Sequence, residues 1–455
     1  MKFTSATDIN SAIKAGEVSA TEVTQAALAR IVADNPRLNA FTDVAATRAI
    51  AEAEAVDKAI AAGQDPGPLA GVPFAVKNLF DLKGLVTRAG SKIARENAPA
   101  SLDADLVTRL TQAGAVCLGG LNMGEFAYDF TGENIHDGDC CNPHDPTKMT
   151  GGSSSGSGAA VAGGLVPITL GSDTNGSLRV PASLCGTYSL RPTYGRLSRG
   201  GSFPFVDALD TLGPMTANLA DLALAYDSLQ GPTTRDPVWV NTPPALVSGL
   251  LEQGASATTR PLRIGVLRGW FEANCGPEAL ARRDRALAAL PDEVQQIDIQ
   301  LDQAAMGRAA AFLITQAEGS TLHLPTLRSR AAEYDPDTRD RFFAGALLPA
   351  VWVQKAQAVR RWWLEQILKT FQTVDILVTP ATPFAAPDRG QKTLELNGQT
   401  VPLRPFLGLL AQPFSAVGLP VVTVPTHRDG EDPIGLQMVA PPWREDLAFL
   451  AASYF

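Results

Sequence analysis

The sequence predicts an α/β protein in which a mixed β-sheet is covered by helices on both faces. Three observations carry this. Buried-type strands alternate with amphipathic helices through the first half of the chain, as in parallel βα units, and hairpin signals gather near the C-terminal end. Hydrophobic residues make up 45% of the chain against 19% charged, enough for a large folded core. At 455 residues the chain is long for one core, and the expectation is a single elaborated domain over 1–455, with 231–374 as an insertion or helical elaboration within it. A formal net charge of −9 argues against a general nucleic-acid binder, which needs clustered Lys and Arg. With no apolar leader and no apolar run of membrane-spanning length, neither secretion nor a membrane location is expected, and the protein is placed in the cytoplasm. Five cysteines, an odd number without a CxxC pair, suggest neither a disulfide framework nor a zinc site.

In chain order, Ser19-Ala20-Thr21-Glu22 is a capping box ahead of an amphipathic helix that should stop near Pro36. A helix is expected over 44–62, another over 104–113, a buried strand over 115–121 and a short helix over 123–130. Residues 131–150 are polar and rich in Asp, Asn, His and Pro, which reads as a long loop. His136 and His144 lie in it at a spacing that matches no metal-ligand motif. Residues 166–170 read as a strand and 219–229 as a helix. A strand then restarts at Arg263–Val266, followed by a helix over 277–290, a period-two strand over 294–301 and long helices over 302–328 and 349–371. Asp375–Pro380 is a buried strand, Asn397-Gly398 a hairpin turn, and 421–425 with 434–439 a late strand pair.

The chemistry concentrates between Thr150 and Pro181. Gly151 to Gly158 has too few side chains to pack a core, yet it leads into apolar sequence, and Gly171-Ser172-Asp173-Thr174-Asn175-Gly176-Ser177 follows a strand. Backbone N–H groups beside serine hydroxyls form a nest for developing negative charge, as acyl transfer requires. Upstream, Lys77 interrupts the apolar stretch Leu69–Phe80. If desolvated, it has a lowered pKa and can accept a proton; if it reaches water at the strand end, it is an ordinary lysine. Gly152-Ser153-Ser154-Ser155-Gly156 also satisfies G-x-S-x-G, with Ser154 as nucleophile and His323 or His427 as base, but no hydrophobic strand precedes it as a nucleophile elbow demands. Ser11-Ala12-Ile13-Lys14 matches SxxK by chance, and no P-loop motif is present.

Lys77, Ser153 and Ser177 together explain more. Gly71-Val72-Pro73-Phe74-Ala75-Val76-Lys77, Gly151-Gly152-Ser153-Ser154, Gly171–Ser177 and the late Pro433-Ile434-Gly435-Leu436-Gln437 resemble the amidase signature family over nearly the whole chain. That resemblance implies Lys77 as base, Ser153 as a bridging serine on a cis peptide, Ser177 as nucleophile, and the N–H groups of Thr174, Asn175, Gly176 and Ser177 as oxyanion hole. It implies no metal or organic cofactor. Where many relatives carry two glycines before the nucleophile, this chain has Asn175-Gly176, a change that either reshapes the oxyanion loop or brings a side chain to the substrate. The runs Val76–Asp81, Gly120–Tyr128, Arg179–Cys185 and Arg196-Leu197-Ser198-Arg199 resemble a branch of the family that hydrolyses a small, carboxylated, urea-like amide. That branch implies ammonia release and a small helical accessory protein, with homodimerisation of the amidase also open. An anionic substrate calls for a cationic or hydrogen-bonding clamp, for which Tyr128, Arg191 and Arg196 are candidates by motif proximity. The alternatives are a glutamine-hydrolysing component of a tRNA amidotransferase-like complex, a hydrolase of other small amides, and a scaffold without catalysis.

Overall fold

Residues 5–253 and 260–455 are described in a computed structural model, and their strands gather into one 11-stranded sheet and a separate two-stranded hairpin. The strands are β1 (Phe41–Val44), β2 (Pro73–Lys77), β3 (Val116–Leu121), β4 (Ile168–Asp173), β5 (Tyr188–Arg191), β6 (Thr211–Thr216), β7 (Arg263–Arg268), β8 (Gln295–Gln300), β9 (Ile376–Pro380), β10 (Thr393–Leu396), β11 (Gln399–Pro402), β12 (Val421–Pro425) and β13 (Gly435–Val439). The large sheet runs β1-β3-β2-β4-β6-β5-β12-β13-β9-β7-β8, and β10 pairs with β11 around Asn397-Gly398. It is mixed: β3-β2-β4 and β9-β7-β8 are parallel blocks, and the intervening strands pair antiparallel. Helices cover both faces. Every residue of β2, β3, β4, β6, β9 and β13 is buried, including the polar Lys77, Ser172, Asp173 and Gln437.

This arrangement positions the site. β2 and β4 are parallel neighbours, so the carboxyl end of β2, carrying Lys77, lies beside the carboxyl end of β4, carrying Ser172 and Asp173. Ligands in open α/β sheets bind at such ends. Segment 231–374 contributes β7, the edge strand β8 and the helices Ala304–Arg330, Pro336–Ala346 and Ala350–Thr370.

Several elements depart from the sequence reading. The first long helix, Ala20–Leu38, has the capping box at Ser19 but runs past Pro36 and ends on left-handed Asn39. The helix expected at 44–62 begins only at Ala46, because Phe41–Val44 pairs with β3 as a strand. In place of a helix over 123–130 there is one 3-10 turn, Glu125–Ala127, with Phe126 and Ala127 at positive φ. Its backbone is held by tertiary bonds instead: Phe126 donates to the Ala89 carbonyl at 2.8 Å, and buried Glu125 accepts from Ser91 Oγ, His136 Nε2 and the Asp335 N–H, each at 2.8 Å. The strand read at 166–170 starts at Ile168 and extends to Asp173, since Pro167 has no N–H to donate and Gly171, Ser172 and Asp173 stay in register with β6. Among the described residues no helix is long and apolar enough to cross a membrane.

Candidate active site

Lys77 is wholly buried, and its ammonium nitrogen donates to three hydroxyls: Ser153 Oγ at 2.6 Å, Ser172 Oγ at 2.8 Å and Ser154 Oγ at 3.1 Å. Burial strips the charge of water and lowers its pKa to about 7, even though Asp210, Asp173 and Asp129 pull the other way. The alternative of a strand-end lysine reaching water therefore falls.

Ser153 follows a cis Gly152–Ser153 peptide, and the helix Ser155–Ala162 starts two residues later. Ser154 donates its N–H to the Ser177 carbonyl at 3.3 Å, and its hydroxyl donates to the Ser172 carbonyl at 3.1 Å. These bonds fasten the serine-rich turn to the loop after β4. Gly152 has no room for a side chain: a Cβ there would sit 2.7 Å from Asp129 Oδ2 and 2.9 Å from the Gly132 nitrogen.

The loop Asp173–Leu178 is wound around the Asp173 carboxylate. Its oxygens accept the N–H of Gly176 at 2.7 Å and of Leu178 at 3.2 Å, and both pair with Arg179 at 3.0 Å. Arg191 adds an ion pair at 3.3 Å. Burial alone would raise the Asp173 pKa, but the Arg179 charge and hydrogen bonds, with Arg191, outweigh it and hold the carboxyl at about 2. Of the four N–H groups the resemblance assigns to the oxyanion, that of Gly176 is thus already donated within the loop. Asp210 braces the same loop from the other side: Oδ1 accepts Thr174 Oγ1 at 2.6 Å, while Oδ2 accepts the N–H groups of Phe205 and Val206 at 2.8 and 2.9 Å.

Ser177 opens onto a cavity of about 250 Å³ whose wall includes Thr174, Asn175, Tyr128, Gln316 and Arg341. Arg341 stacks over the Tyr128 ring, 3.9 Å from its centroid, and donates to the carbonyls of Tyr128 and Asp337. Both partners are neutral, and among the described residues no carboxylate pairs with it. Arg404, on the same wall, is instead surrounded by Asp129 at 3.4 Å, Glu133 at 3.6 Å and Asp337 at 3.0 Å.

Of the three residues put forward as a substrate clamp, Tyr128 lines this cavity and the two arginines do not. Arg191 is fully buried, pairing with Asp173 and donating to the carbonyls of Leu419 and Leu209 at 2.8 and 3.2 Å. Arg196 donates to Thr242 Oγ1 and the Pro243 carbonyl, pairs with Glu445 at 3.3 Å and lies over the Trp443 ring. Motif proximity misled because both side chains are spent on holding loops together. The G-x-S-x-G alternative fails too. Ser154 is bonded to Lys77, not to a histidine; His323 is enclosed by Phe126, Phe203, Tyr334 and Phe342, and His427 stacks edge-on against His144. His136 and His144 are bonded to Glu125 and to the Cys185 carbonyl, and among the described residues no group of three or more His, Cys, Asp or Glu side chains could hold a metal. No motif marked Arg341, Gln316 or Asp210; the first two sit on helices remote in sequence from the serine turn.

Known proteins resemble this chain over nearly its whole length. The amidase family model matches residues 22–449. The chain is 50% identical over 446 residues to the AtzE component of the 1-carboxybiuret hydrolase of Pseudomonas sp. (strain ADP), covering 98% of this chain and 96% of that protein. It is 36% identical over 476 residues to a component of the glutamyl-tRNA(Gln) amidotransferase of Synechococcus sp. (strain RCC307), covering 98% and 95%. A solved structure of an s-triazine catabolic enzyme, described as a vestigial protein complex, superposes with a TM-score of 0.95 at 49% identity, covering 99% of this chain and 97% of that one. The chain therefore belongs to the amidase signature family and is an amide-cleaving hydrolase.

Proposed function

We propose that the protein hydrolyses a small, carboxylated, urea-like amide, 1-carboxybiuret, and releases ammonia. The observation that carries this reading is the cavity at Ser177, small and walled on one side by an arginine whose partners are neutral carbonyls. A substrate carboxylate supplies the counter-charge that Arg341 lacks. The 50% identity to a 1-carboxybiuret hydrolase component favours the same substrate.

In the proposed reaction neutral Lys77 takes the proton of Ser153, which takes that of Ser177 as its Oγ attacks the amide carbon. Charge developing on the carbonyl oxygen is met by the N–H groups of Thr174, Asn175 and Ser177, with Gly176 shaping the turn. The relay then runs backwards, the C–N bond breaks, and the protonated leaving nitrogen departs as ammonia. Water, deprotonated through the same groups, releases the acyl chain and restores Ser177. Lys77 suits this task because a base works best with a pKa near the working pH, and its own lies at about 7.

We also propose a cytoplasmic protein, a setting in which the five free cysteines stay reduced, and a small accessory protein bound to it. The exposed apolar side chains of Met306, Phe312 and Trp352 support a covering partner. The second reading is a glutamine-hydrolysing component of an amidotransferase, favoured by relatives such as that at 36% identity. Ammonia release from 1-carboxybiuret, biuret, glutamine and simple aliphatic amides, with Ser177→Ala as control and any co-purifying partner retained, decides between them. Selective turnover of 1-carboxybiuret is expected. A preference for glutamine that charged tRNA stimulates would replace the first reading with the second.

A further inference from the structure

The Arg341–Tyr128 pair at the Ser177 cavity is made where two segments 213 residues apart in the chain meet. Arg341 comes from the helix Pro336–Ala346, and Tyr128 from the 3-10 turn Glu125–Ala127 and its last residue. Among the described residues two hydrogen bonds join these segments directly. One is Arg341 to the Tyr128 carbonyl, and the other is the Asp335 N–H to Glu125 Oε2 at 2.8 Å.

Glu125 is 2% exposed and fully engaged: its other oxygen accepts Ser91 Oγ and His136 Nε2, each at 2.8 Å. Asp335 is the N-cap residue of the helix, so the Glu125 carboxylate lies at the helix's positive end, where a negative charge is favoured. The turn it belongs to needs holding as well. Phe126 and Ala127 stand at φ +50° and +61°, a region that residues with a Cβ enter reluctantly. Rings also pack across the seam, Phe126 against Tyr334 at 5.5 Å and Tyr128 against Phe342 at 5.1 Å. Apolar contact is non-directional, whereas a hydrogen bond to a charged group fixes both distance and direction.

We propose that Glu125 is a positioning residue: by holding the Asp335 N–H it sets where the helix Pro336–Ala346 lies on the turn, and so places Arg341 for the carboxylate of the substrate. This rests on reading the Ser177 cavity as the substrate site and Arg341 as the partner of that carboxylate. Glu125 is not among the residues of the cavity wall, and it acts through Arg341.

Steady-state kinetics of the full-length protein with 1-carboxybiuret test it, with biuret, as substrate or competitive inhibitor, for the neutral comparison. Glu125→Ala is expected to raise KM for 1-carboxybiuret about tenfold, with kcat and the constant for biuret nearly unchanged, the pattern of a misplaced binding group. Glu125→Gln is expected to restore KM: its amide oxygen can take the Asp335 N–H while its NH2 donates to Ser91 Oγ and to His136 Nε2 in the other tautomer. With Arg341→Met already in place, Glu125→Ala is expected to change KM no further, since the group it positions is gone. An unchanged KM in Glu125→Ala, an equal loss with biuret, or two defects that multiply in the double variant overturns the proposal. If Glu125→Ala does not fold, Asp335→Pro takes its place in the same cycle with the same outcomes. Tyr334 at ψ 154° and Asp335 at φ −53° already have the backbone that proline requires, so that change deletes the N–H. A wild-type KM in Arg341→Met removes the reading of Arg341 and this proposal with it. A defect in Arg341→Met that Glu125→Ala does not share removes this proposal alone.

Discussion

The rate of this enzyme should titrate with Lys77, and removing the charge of Asp210 should move that titration. With its pKa lowered from the usual 10.5 to about 7, Lys77 is about half neutral at pH 7, against about 3 parts in 10,000 for an ordinary lysine. The gap corresponds to about 5 kcal/mol in the energy of the ammonium, supplied by burial and partly offset by Asp210, Asp173 and Asp129. The base must be neutral to accept a proton, so kcat/KM rises with pH and levels off above about 7. Of the three carboxylates, Asp173 is paired with Arg179 and Arg191, and Asp129 with Arg404, whereas Asp210 is bonded to Thr174 and to backbone N–H groups. Asp210→Asn therefore removes the charge with least compensation. It lowers the midpoint by about one pH unit or less, the pull of one charge through a protein interior of effective dielectric ~20. Steady-state kinetics from pH 5 to 9 on both proteins measure it. Loss of the Thr174 brace alone would lower the plateau with the midpoint fixed. A flat wild-type profile, or a midpoint that Asp210→Asn leaves in place, refutes the reasoning.

Three further outcomes are expected. Arg341→Met should raise KM for carboxylated substrates by about tenfold or more, the worth of a charge-assisted bond, and leave neutral amides nearly unaffected in the same assay. Gly176→Ala should abolish most turnover, because φ is +133° and the new Cβ would lie 2.9 Å from the Ala411 Cβ; a loop that adapts would show near-normal kcat. Asp173→Asn leaves two buried guanidinium groups without their counter-charge and should cost about 3–5 kcal/mol in urea unfolding. In the wild type, the Asp173 carboxyl is held at about 2, below its ordinary 3.8. Its stabilising contribution is thus complete above the unfolded value and lost as pH falls through the folded one, which unfolding curves across that acid range measure.

The gathering of Lys77, Ser153 and Ser177 at the candidate site was foreshadowed in the sequence because these residues are local to two glycine-rich turns and one strand end. A lysine inside an apolar run, serines with no core to pack and an Asp-Thr-Asn-Gly-Ser loop after a strand each point to chemistry on their own. Part of the sheet was legible too, since β3 and β9 are buried along their length and mostly apolar. The wall of the Ser177 cavity was not. Thr315, Gln316 and Arg341 are carried by the helices Ala304–Arg330 and Pro336–Ala346, whose sequences look like ordinary helices; only packing brings them to Ser177. Arg191 and Arg196 failed for the opposite reason, being near in sequence but turned into Asp173 and Glu445. The 3-10 turn at Glu125–Ala127 was misread as a helix because the bonds that shape it come from Ala89, Ser91, His136 and Asp335, far along the chain.

The central claim is that Ser177 carries the acyl group and that Lys77 drives its attack. Rapid acid quenching of the enzyme during turnover of 1-carboxybiuret, followed by mass spectrometry of the peptide containing Ser177, tests it most directly. An acyl adduct on Ser177 is expected in the wild type, absent in Ser177→Ala and in Lys77→Met. An adduct on Ser153 or Ser154 instead, or full adduct formation in Lys77→Met, would contradict the account.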